Sequence, residues 1–169
     1  MACKNGIRKS IESSKKCYQE QRKPDPFRDF WKELIRRVYE SPEGFDGLSS
    51  HEKTYFAVCM LDGEVYNGGF DQFFFNSSGD YYQAALSGLA ELGAFHSREL
   101  LIAARLALFS DGDLSRDTET RRAVLRHSPD DSATDNLLNN LDDKYYADPD
   151  KLGDRLRKFA IENHLVRLG

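Results

Sequence analysis

Residues 67–80 have the sequence NGGFDQFFFNSSGD, and this stretch decides how the chain folds. Its phenylalanines lie among polar residues of the kind that form turns. In a helical segment Phe70, Phe73 and Phe74 share one face, because residues three and four apart are neighbours on a helix. Phe75 then points elsewhere. We predict that the three rings on the shared face fill the core, where burial of each contributes about 2–3 kcal/mol.

The polar residues of this motif have two interpretations. In the first, Asn67, Gln72 and Asn76 satisfy backbone groups at the turns, since buried polar groups need hydrogen-bond partners. In the second, Asp71, Gln72 and Phe75 form a contact surface for a partner or ligand, because aromatic residues are enriched at the centres of interfaces. The sequence permits both.

The residues on the N-terminal side of the motif carry helical patterns. Ser49 and Glu52 have the spacing of a capping box and predict a helix that runs to about residue 66. The Asn67-Gly68-Gly69 turn can adopt positive φ and close that helix. Further upstream, apolar side chains in residues 27–38 recur at i, i+3, i+4 and i+7, which predicts another amphipathic helix.

Helix-starting residues recur in the second half of the chain. Each has a short polar side chain that can accept a hydrogen bond from a free backbone N–H group. They are Asp80, Ser97, Asp135 and Asp148, the last of them followed by Pro149. Residues 118–127 are also predicted to be helical. Because no strand pattern and no repeat is found, we predict an all-α, single-domain bundle of about seven helices over residues 26–169.

Residues 1–25 are predicted to be a polar, basic N-terminal arm, either disordered or forming one weak helix. Cys3 and Cys17 lie in this arm and are expected to be exposed, whereas Cys59 lies in an apolar stretch and is expected to be an inert core thiol. The odd number of cysteines, the lack of a secretory signal and the lack of a membrane-length apolar run favour the cytoplasm.

The net charge of −4 is distributed unevenly along the chain. Residues 1–40 carry a net charge of +5, residues 41–154 carry −12, and residues 155–169 carry +3. An acidic body of this kind repels nucleic acid and attracts basic proteins. The plainer alternative is a solvated acidic surface with no partner.

The motif carries a resemblance to a known family. The chain resembles a family of small acidic bacterial DNA-mimic proteins, densely over residues 67–80, more loosely from Leu48 to about Phe109, and weakly toward the C-terminus. The resemblance implies a mostly helical protein that binds a DNA-binding protein in place of DNA. It also implies a homodimer, for which apolar residues of the first helix or Phe75 are candidate contacts. Residues 1–25 fall outside it.

The C-terminal half could supply the acidic surface that such a protein needs. Residues 111–154 hold 12 acidic and six basic residues. A protein that imitates DNA needs unpaired carboxylates at spacings comparable with those of phosphates. The predicted partner-binding surface comprises Asp111, Asp113, Asp117, Glu119, Asp130, Asp131, Asp142 and Asp143. Several of these residues are also good helix caps, and the arginines of this region would weaken the charge by pairing: Arg116, Arg121, Arg122 and Arg126.

We therefore expect a non-enzymatic protein-binding module whose acidic surface engages a basic protein such as a DNA-binding transcription factor, without direct contact to nucleic acid or membrane. One alternative is an immunity-type protein that neutralises a basic toxin. Another is a hydrolase-like enzyme that uses Glu64, Asp71 and Asp80 in a pocket beside the motif. The histidines are scattered and no phosphate-binding or dinucleotide-binding motif is found, so no metal and no cofactor is expected.

Overall fold

The computed structural model of the protein describes residues 25–109, 114–127 and 132–167, and every regular element in these ranges is a helix. The seven α-helices of this part of the chain are α1 (Pro26–Glu40), α2 (Ser50–Phe75), α3 (Tyr82–Glu91), α4 (Phe95–Phe109), α5 (Thr118–His127), α6 (Ser132–Tyr146) and α7 (Leu152–Glu162). Two short 3-10 helices, Gly44–Gly47 and Ser77–Tyr81, flank α2. The predicted all-α, single-domain fold is confirmed. The weak helix predicted in the arm, as well as Cys3 and Cys17, lies outside the described residues.

Local sequence determines where α1 and α2 begin. The Asp25 side chain accepts hydrogen bonds from backbone N–H groups of the first turn of α1, and Pro26 occupies the first helical position. Ser49 and Glu52 form the predicted capping box, in which the backbone N–H of Ser49 donates to the Glu52 carboxylate over 2.8 Å. Arg37 of α1 forms an ion pair with the same carboxylate, which joins the two helices.

Helix α2 is the centre of the bundle, because it contacts all six of the other described helices. Its side chains are therefore buried on all sides from Thr54 to Val58. Phe70, Phe73 and Phe74 are fully buried, as predicted, and Phe75 remains 38% exposed. No helix in the described ranges has the length and apolar character needed to cross a membrane.

Two predicted helix starts are wrong because tertiary contacts take the capping side chains. Helix α3 begins at Tyr82 without a side-chain cap, because the Asp80 carboxylate forms an ion pair with Arg121 instead. Helix α4 begins at Phe95, so Ser97 lies inside its first turn. Both the backbone N–H and the hydroxyl of Ser97 donate to Asp150, a residue 53 positions away.

The last two helices also start elsewhere than predicted. Helix α6 begins at Ser132, three residues before Asp135. Helix α7 begins at Leu152, and Pro149 lies in the turn before it rather than at the first helical position. Asp148 still caps this helix, since its carboxylate accepts a hydrogen bond from the backbone N–H of Leu152 over 2.8 Å.

Candidate protein-binding face

The first two glycines of the motif, Gly68 and Gly69, break α2 into two segments. Gly68 has a φ of −169° and Gly69 a φ of +79°, so the helix restarts at Phe70 in a new direction. The backbone N–H of Phe70 donates to Oδ1 of Asp142 in α6 over 2.9 Å. A Cβ atom on Gly69 would overlap the Asp142 carboxylate. Glycine is therefore needed at this position both for its φ and for the close approach of Asp142.

A polar cluster around Glu64 holds the second segment of α2 and the loop that follows it. The Glu64 carboxylate accepts hydrogen bonds from Gln72 (2.7 Å), Asn76 (3.0 Å) and Ser78 (2.6 Å). The expectation that the side chains of Gln72 and Asn76 satisfy backbone groups is wrong, because both donate to this carboxylate. The amide of Gln72 is thereby withdrawn from the contact surface proposed for it.

Arg121 of α5 is fully buried beneath the end of the motif. Its guanidinium donates to the backbone carbonyl groups of Phe74 and Asn76 and to two carbonyl groups of the loop before α5. It also forms an ion pair with Asp80 over 2.6 Å, which explains why Asp80 does not cap α3. A Cβ atom on Gly79 would lie 2.8 Å from Nε of Arg121, so the motif glycine makes room for the arginine.

Phe75 is covered in part by the residue that follows Arg121. The Arg122 guanidinium lies 4.9 Å from the centre of the Phe75 ring and donates to the Phe75 carbonyl over 2.8 Å. Most of the motif is thus engaged inside the molecule. Of the three residues predicted to form a contact surface, Asp71 and part of the Phe75 ring are exposed. The side-chain amide of Gln72 is bound to Glu64 instead.

The three carboxylates of the enzyme hypothesis have different surroundings. Glu64 and Asp80 are bound within the motif, as described above, and Asp71 lies beside carboxylates of α6. A pocket of about 220 Å³ is lined by Asp80 together with Glu43, Asp46 and Tyr81, among others, but not by Glu64 or Asp71. The structure therefore does not bring the three into one cleft.

A set of carboxylates and tyrosines from α2, α6 and the turn after α6 forms one surface, which we call the acidic tyrosine face. Three of its carboxyl groups have a pKa raised by burial and then by a neighbouring carboxylate: Asp148 acts on Asp62, Asp135 acts on Asp71, and Asp143 and Asp71 act on Asp142. We define the face by Asp62, Tyr66, Asp71, Asp135, Asp142, Asp143, Tyr146 and Asp148.

The carboxylates of the acidic tyrosine face repel one another. Loss of solvent around its carboxylate, and then the charge of Asp135, raises the pKa of Asp71, although the residue as a whole stays exposed. Burial raises the pKa of Asp142. The hydrogen bond from Phe70 opposes that rise, and the charges of Asp143 and Asp71 add to it. In the described part of the chain, the charged groups that shift these pKa values are all carboxylates.

The tyrosines lie between the carboxylates and link α2 to α6. The Tyr66 and Tyr146 rings have centroids 5.5 Å apart and are 52% and 42% exposed. The Tyr146 hydroxyl donates to the Val65 carbonyl over 2.9 Å, and the buried Tyr145 donates to Asp62 over 3.1 Å. Burial is the main cause that raises the pKa of Asp62, and the charge of Asp148 adds to it. The face is therefore aromatic and acidic, and hydrogen bonds of Tyr145 and Tyr146 join α6 to α2.

A family comparison gives this geometry a context. The sequence model of a family described as DMP19-like protein matches residues 46–164, more than two thirds of the chain. The chain belongs to the DMP19-like protein family. The assignment to a family of DNA mimics is corrected accordingly, since the matching description names the DMP19-like family and nothing further. No curated protein and no solved structure matched the chain.

The match to the DMP19-like family covers the motif, Arg121 and the whole acidic tyrosine face, but neither the arm nor α1. Of the predicted partner-binding residues, Asp142 and Asp143 lie next to each other on α6, and their role in binding stays a prediction. The predicted members Asp117 and Glu119 lie on or beside α5, where they bind Thr120 and Arg122. Four more lie outside the described residues: Asp111, Asp113, Asp130 and Asp131.

Sequence reasoning missed the contribution of the tyrosines and of three carboxylates. The sequence pattern identifies Asp135 and Asp148 only as helix-starting residues and gives no signal for Asp62. A seven-residue spacing between Asp135 and Asp142 places both on one side of α6, and this periodicity was the available signal. The position of Asp71 opposite them depends on the Gly69 break and could not be found from spacing.

No group of three His, Cys, Asp or Glu side chains in the described ranges could hold a metal ion. Cys59 is partly buried, and burial raises its pKa to about 12, so its thiol is protonated at neutral pH. This agrees with the prediction of an inert thiol.

Replacing Asp143 by asparagine is expected to raise the free energy of unfolding by about 0.5 kcal/mol at neutral pH. The raised pKa of Asp142 means that the ionised carboxylate costs stability above that pKa, and that the cost disappears as the pH falls through it. The gain should therefore be present at pH 7 and vanish at about pH 3, where aspartates are protonated. Urea unfolding of both proteins at the two pH values measures this, and an equal gain at both would contradict it.

Proposed function

We propose that the protein is a non-enzymatic binding module whose acidic tyrosine face engages a basic surface of a partner protein. The observation that carries this proposal is the meeting of α2 and α6, where Asp142 accepts a hydrogen bond from Phe70 beside the exposed Tyr66 and Tyr146. Burial first, and the charges of neighbouring carboxylates second, raise the pKa values of Asp71 and Asp142 there. Unrelieved repulsion of this kind lowers stability, and a folded protein keeps such an arrangement most readily where it serves binding. A cationic partner would relieve it.

The tyrosines of the face support the same proposal. Tyr66 and Tyr146 combine exposed aromatic area with rings already held in place by stacking and by the hydrogen bond to Val65. Tyrosine is enriched in protein interfaces, where it supplies contact area at low cost in conformational entropy. An anion-binding or nucleic-acid-binding surface would instead present basic residues.

The partner would belong to a class of protein with a strongly basic surface. A DNA-binding protein such as a transcription factor is our first candidate, because its binding surface is built for regularly spaced negative charge. Complementary charges would make association fast and sensitive to salt. The hydrogen bonds to Glu64 and the ion pair of Asp80 fit structural roles, which supports the proposal over an enzyme.

Partner capture from a lysate of the source cell tests the proposal. The tagged full chain is washed at low and then at high salt, and the eluted proteins are challenged with duplex DNA. Recovery of a DNA-binding protein that salt elutes and duplex DNA displaces would support the proposal. Recovery of one tightly bound toxin would favour the immunity alternative, and binding that is indifferent to salt would contradict the electrostatic contact.

A matched pair of variants assigns the contact to the acidic tyrosine face. The face variant combines Asp71→Asn, Asp135→Asn and Asp143→Asn. The control variant carries Glu40→Gln, Glu99→Gln and Glu162→Gln on α1, α4 and α7, where all three residues are exposed. Both have the same net charge, so a general charge effect would change them equally.

The face variant is expected to bind the captured partner about tenfold more weakly than the wild-type protein, a loss of about 1.4 kcal/mol. The estimate assigns about 0.5 kcal/mol to each exposed carboxylate. The control variant should keep wild-type affinity at the same ionic strength. Equal loss in both variants, measured by titration calorimetry, would show that the partner responds to net charge and not to this face.

We further propose a cytoplasmic location and a homodimer. The free thiol of Cys59 fits a reducing compartment. For the homodimer, the apolar residues of α1 are largely packed on the core, so the exposed Tyr39 is a better contact than the rest of that helix. Sedimentation equilibrium of the full chain tests the dimer directly.

A further inference from the structure

A histidine in the first turn of α4 is held by a buried carboxylate. Nδ1 of His96 lies 3.1 Å from Oδ1 of Asp150, whose side chain is 5% exposed, whereas the imidazole is 70% exposed. The other oxygen of Asp150 accepts hydrogen bonds from the backbone N–H of Ser97 over 2.7 Å and from its hydroxyl over 2.9 Å. Burial raises the pKa of Asp150, but the hydrogen bonds from Ser97 and His96 outweigh burial and lower it, so the carboxylate is ionised at neutral pH.

The contact with Asp150 determines which nitrogen of His96 is left for a ligand. An ionised carboxylate only accepts hydrogen bonds, so Nδ1 carries the proton. In the neutral imidazole Nε2 is then a hydrogen-bond acceptor. Nε2 has no hydrogen-bond partner among the residues that the structure describes. His96 therefore presents an oriented acceptor at the surface.

The imidazole borders a pocket between α4 and α6. The pocket has a volume of about 300 Å³, and its walls are mainly apolar. Ligand sites in proteins range over about 300–1,000 Å³, so this one suits a small molecule. The lining residues are His96, Glu99 and Leu100 of α4, Lys144 of α6, and Ala147 and Pro149 of the turn after α6.

Opposite charges lie on the two walls of this pocket. Glu99 is on the α4 side, three residues after His96 and therefore on the same side of the helix, and Lys144 is on the α6 side. Both are exposed, and neither forms an ion pair or a hydrogen bond with another residue in the described ranges. The pocket thus combines an apolar floor with two acceptors on one wall and a cation on the other.

We propose that this pocket binds a free apolar α-amino acid. The ammonium group donates to the Glu99 carboxylate and to Nε2 of His96, the ligand carboxylate pairs with Lys144, and the ligand side chain packs on the apolar walls. Asp150 is a positioning residue, because it holds the imidazole with Nε2 as the acceptor. The pocket shares no residue with the acidic tyrosine face, so this site is independent of the proposed partner.

Titration calorimetry of the full chain with L-leucine tests the proposal. A ligand of this size is expected to bind with a Kd of about 0.1–1 mM. Isocaproate lacks the ammonium group and isoamylamine lacks the carboxylate, so each should bind at least about threefold more weakly than leucine. Glycine, which has both charges and no apolar side chain, should give no measurable heat. Absence of leucine binding, or equal binding of leucine and either analogue, would overturn the proposal.

Two exposed alanines provide matched variants that place the site. Ala147→Phe puts a ring into the pocket and is expected to weaken leucine binding by at least about tenfold, because the ligand and the ring cannot share the space. Ala90→Phe makes the same change on α3, outside the pocket, and should leave leucine binding unchanged. Equal binding by the two variants would show that leucine binds elsewhere.

Glu99→Gln tests the contact with the ammonium group. It should weaken leucine binding by about threefold without weakening isocaproate, which has no ammonium group. Glu162→Gln on α7 removes the same charge away from the pocket and should change neither ligand. Equal loss for leucine and isocaproate in Glu99→Gln would contradict the assigned orientation. Titrations of the protein partner contain no free amino acid, so Glu99→Gln stays valid in the control variant of the acidic tyrosine face.

Discussion

Replacing Arg121 by methionine is expected to lower the free energy of unfolding by about 3–5 kcal/mol, because several backbone carbonyl groups lose a charged hydrogen-bond donor at once. The guanidinium is fully buried and donates to carbonyl groups on both sides of the junction between the motif and α5. Methionine has a similar length but donates no hydrogen bond, so these buried carbonyl groups would lose their partners. Urea unfolding followed by circular dichroism measures the difference.

The neighbouring arginine is the matched control for this prediction. Arg122→Met makes the same chemical change one residue further along α5, where the side chain stacks on Phe75 and pairs with Glu119 at the surface. We expect a loss of about 1 kcal/mol or less, as is usual for exposed ion pairs. Similar losses for the two variants would show that burial of Arg121 is not what holds α5 against the motif.

Replacing Gly69 by alanine is expected to destabilise the protein by about 3 kcal/mol or more. The φ of +79° with a ψ of −178° lies in a region that essentially only glycine occupies, which alone costs about 1–3 kcal/mol for another residue. The new Cβ atom would also displace the Asp142 carboxylate, and the N–H of Phe70 would lose its acceptor. The cost of that lost hydrogen bond is about 1 kcal/mol.

Gly63 provides the control for this substitution in the same helix. It is exposed within the first segment of α2, and a Cβ atom there would meet no other atom within 4 Å. Gly63→Ala should therefore stabilise the protein by about 0.5–1 kcal/mol through the higher helix propensity of alanine. Opposite signs for the two variants are the expected result of thermal unfolding, and a loss of stability at both positions would contradict the role given to the Gly69 backbone.

Features that depend on neighbouring residues were predictable from the sequence. The capping box of Ser49 and Glu52 is a local pattern, and so is the spacing that buries Phe70, Phe73 and Phe74. The bounds of α5 also agree with the prediction, because its apolar residues and its charged residues follow a helical period.

Features that depend on residues distant in the chain were not predictable. Asp150 binds Ser97 from 53 positions away, and Asp142 binds Phe70 from 72 positions away. In each case an aspartate, a residue type that commonly caps its own helix, accepts a hydrogen bond from a backbone N–H group of a different helix. The acidic tyrosine face has the same origin, because Asp71 meets α6 only through the change of direction at Gly69.

The contact between Gly69 and Asp142 restricts how this sequence can diverge. A side chain introduced at position 69 alone would overlap the Asp142 carboxylate. Loss of the oxygen acceptor at position 142 alone would leave the N–H group of Phe70 without a hydrogen-bond partner. Because each of these substitutions alone lowers stability, we expect them to occur together or with a compensating substitution nearby. Because Asp142 also belongs to the acidic tyrosine face, the helix break restricts one position of that surface to side chains that supply an oxygen acceptor of this length, aspartate or asparagine, whatever partner the surface meets.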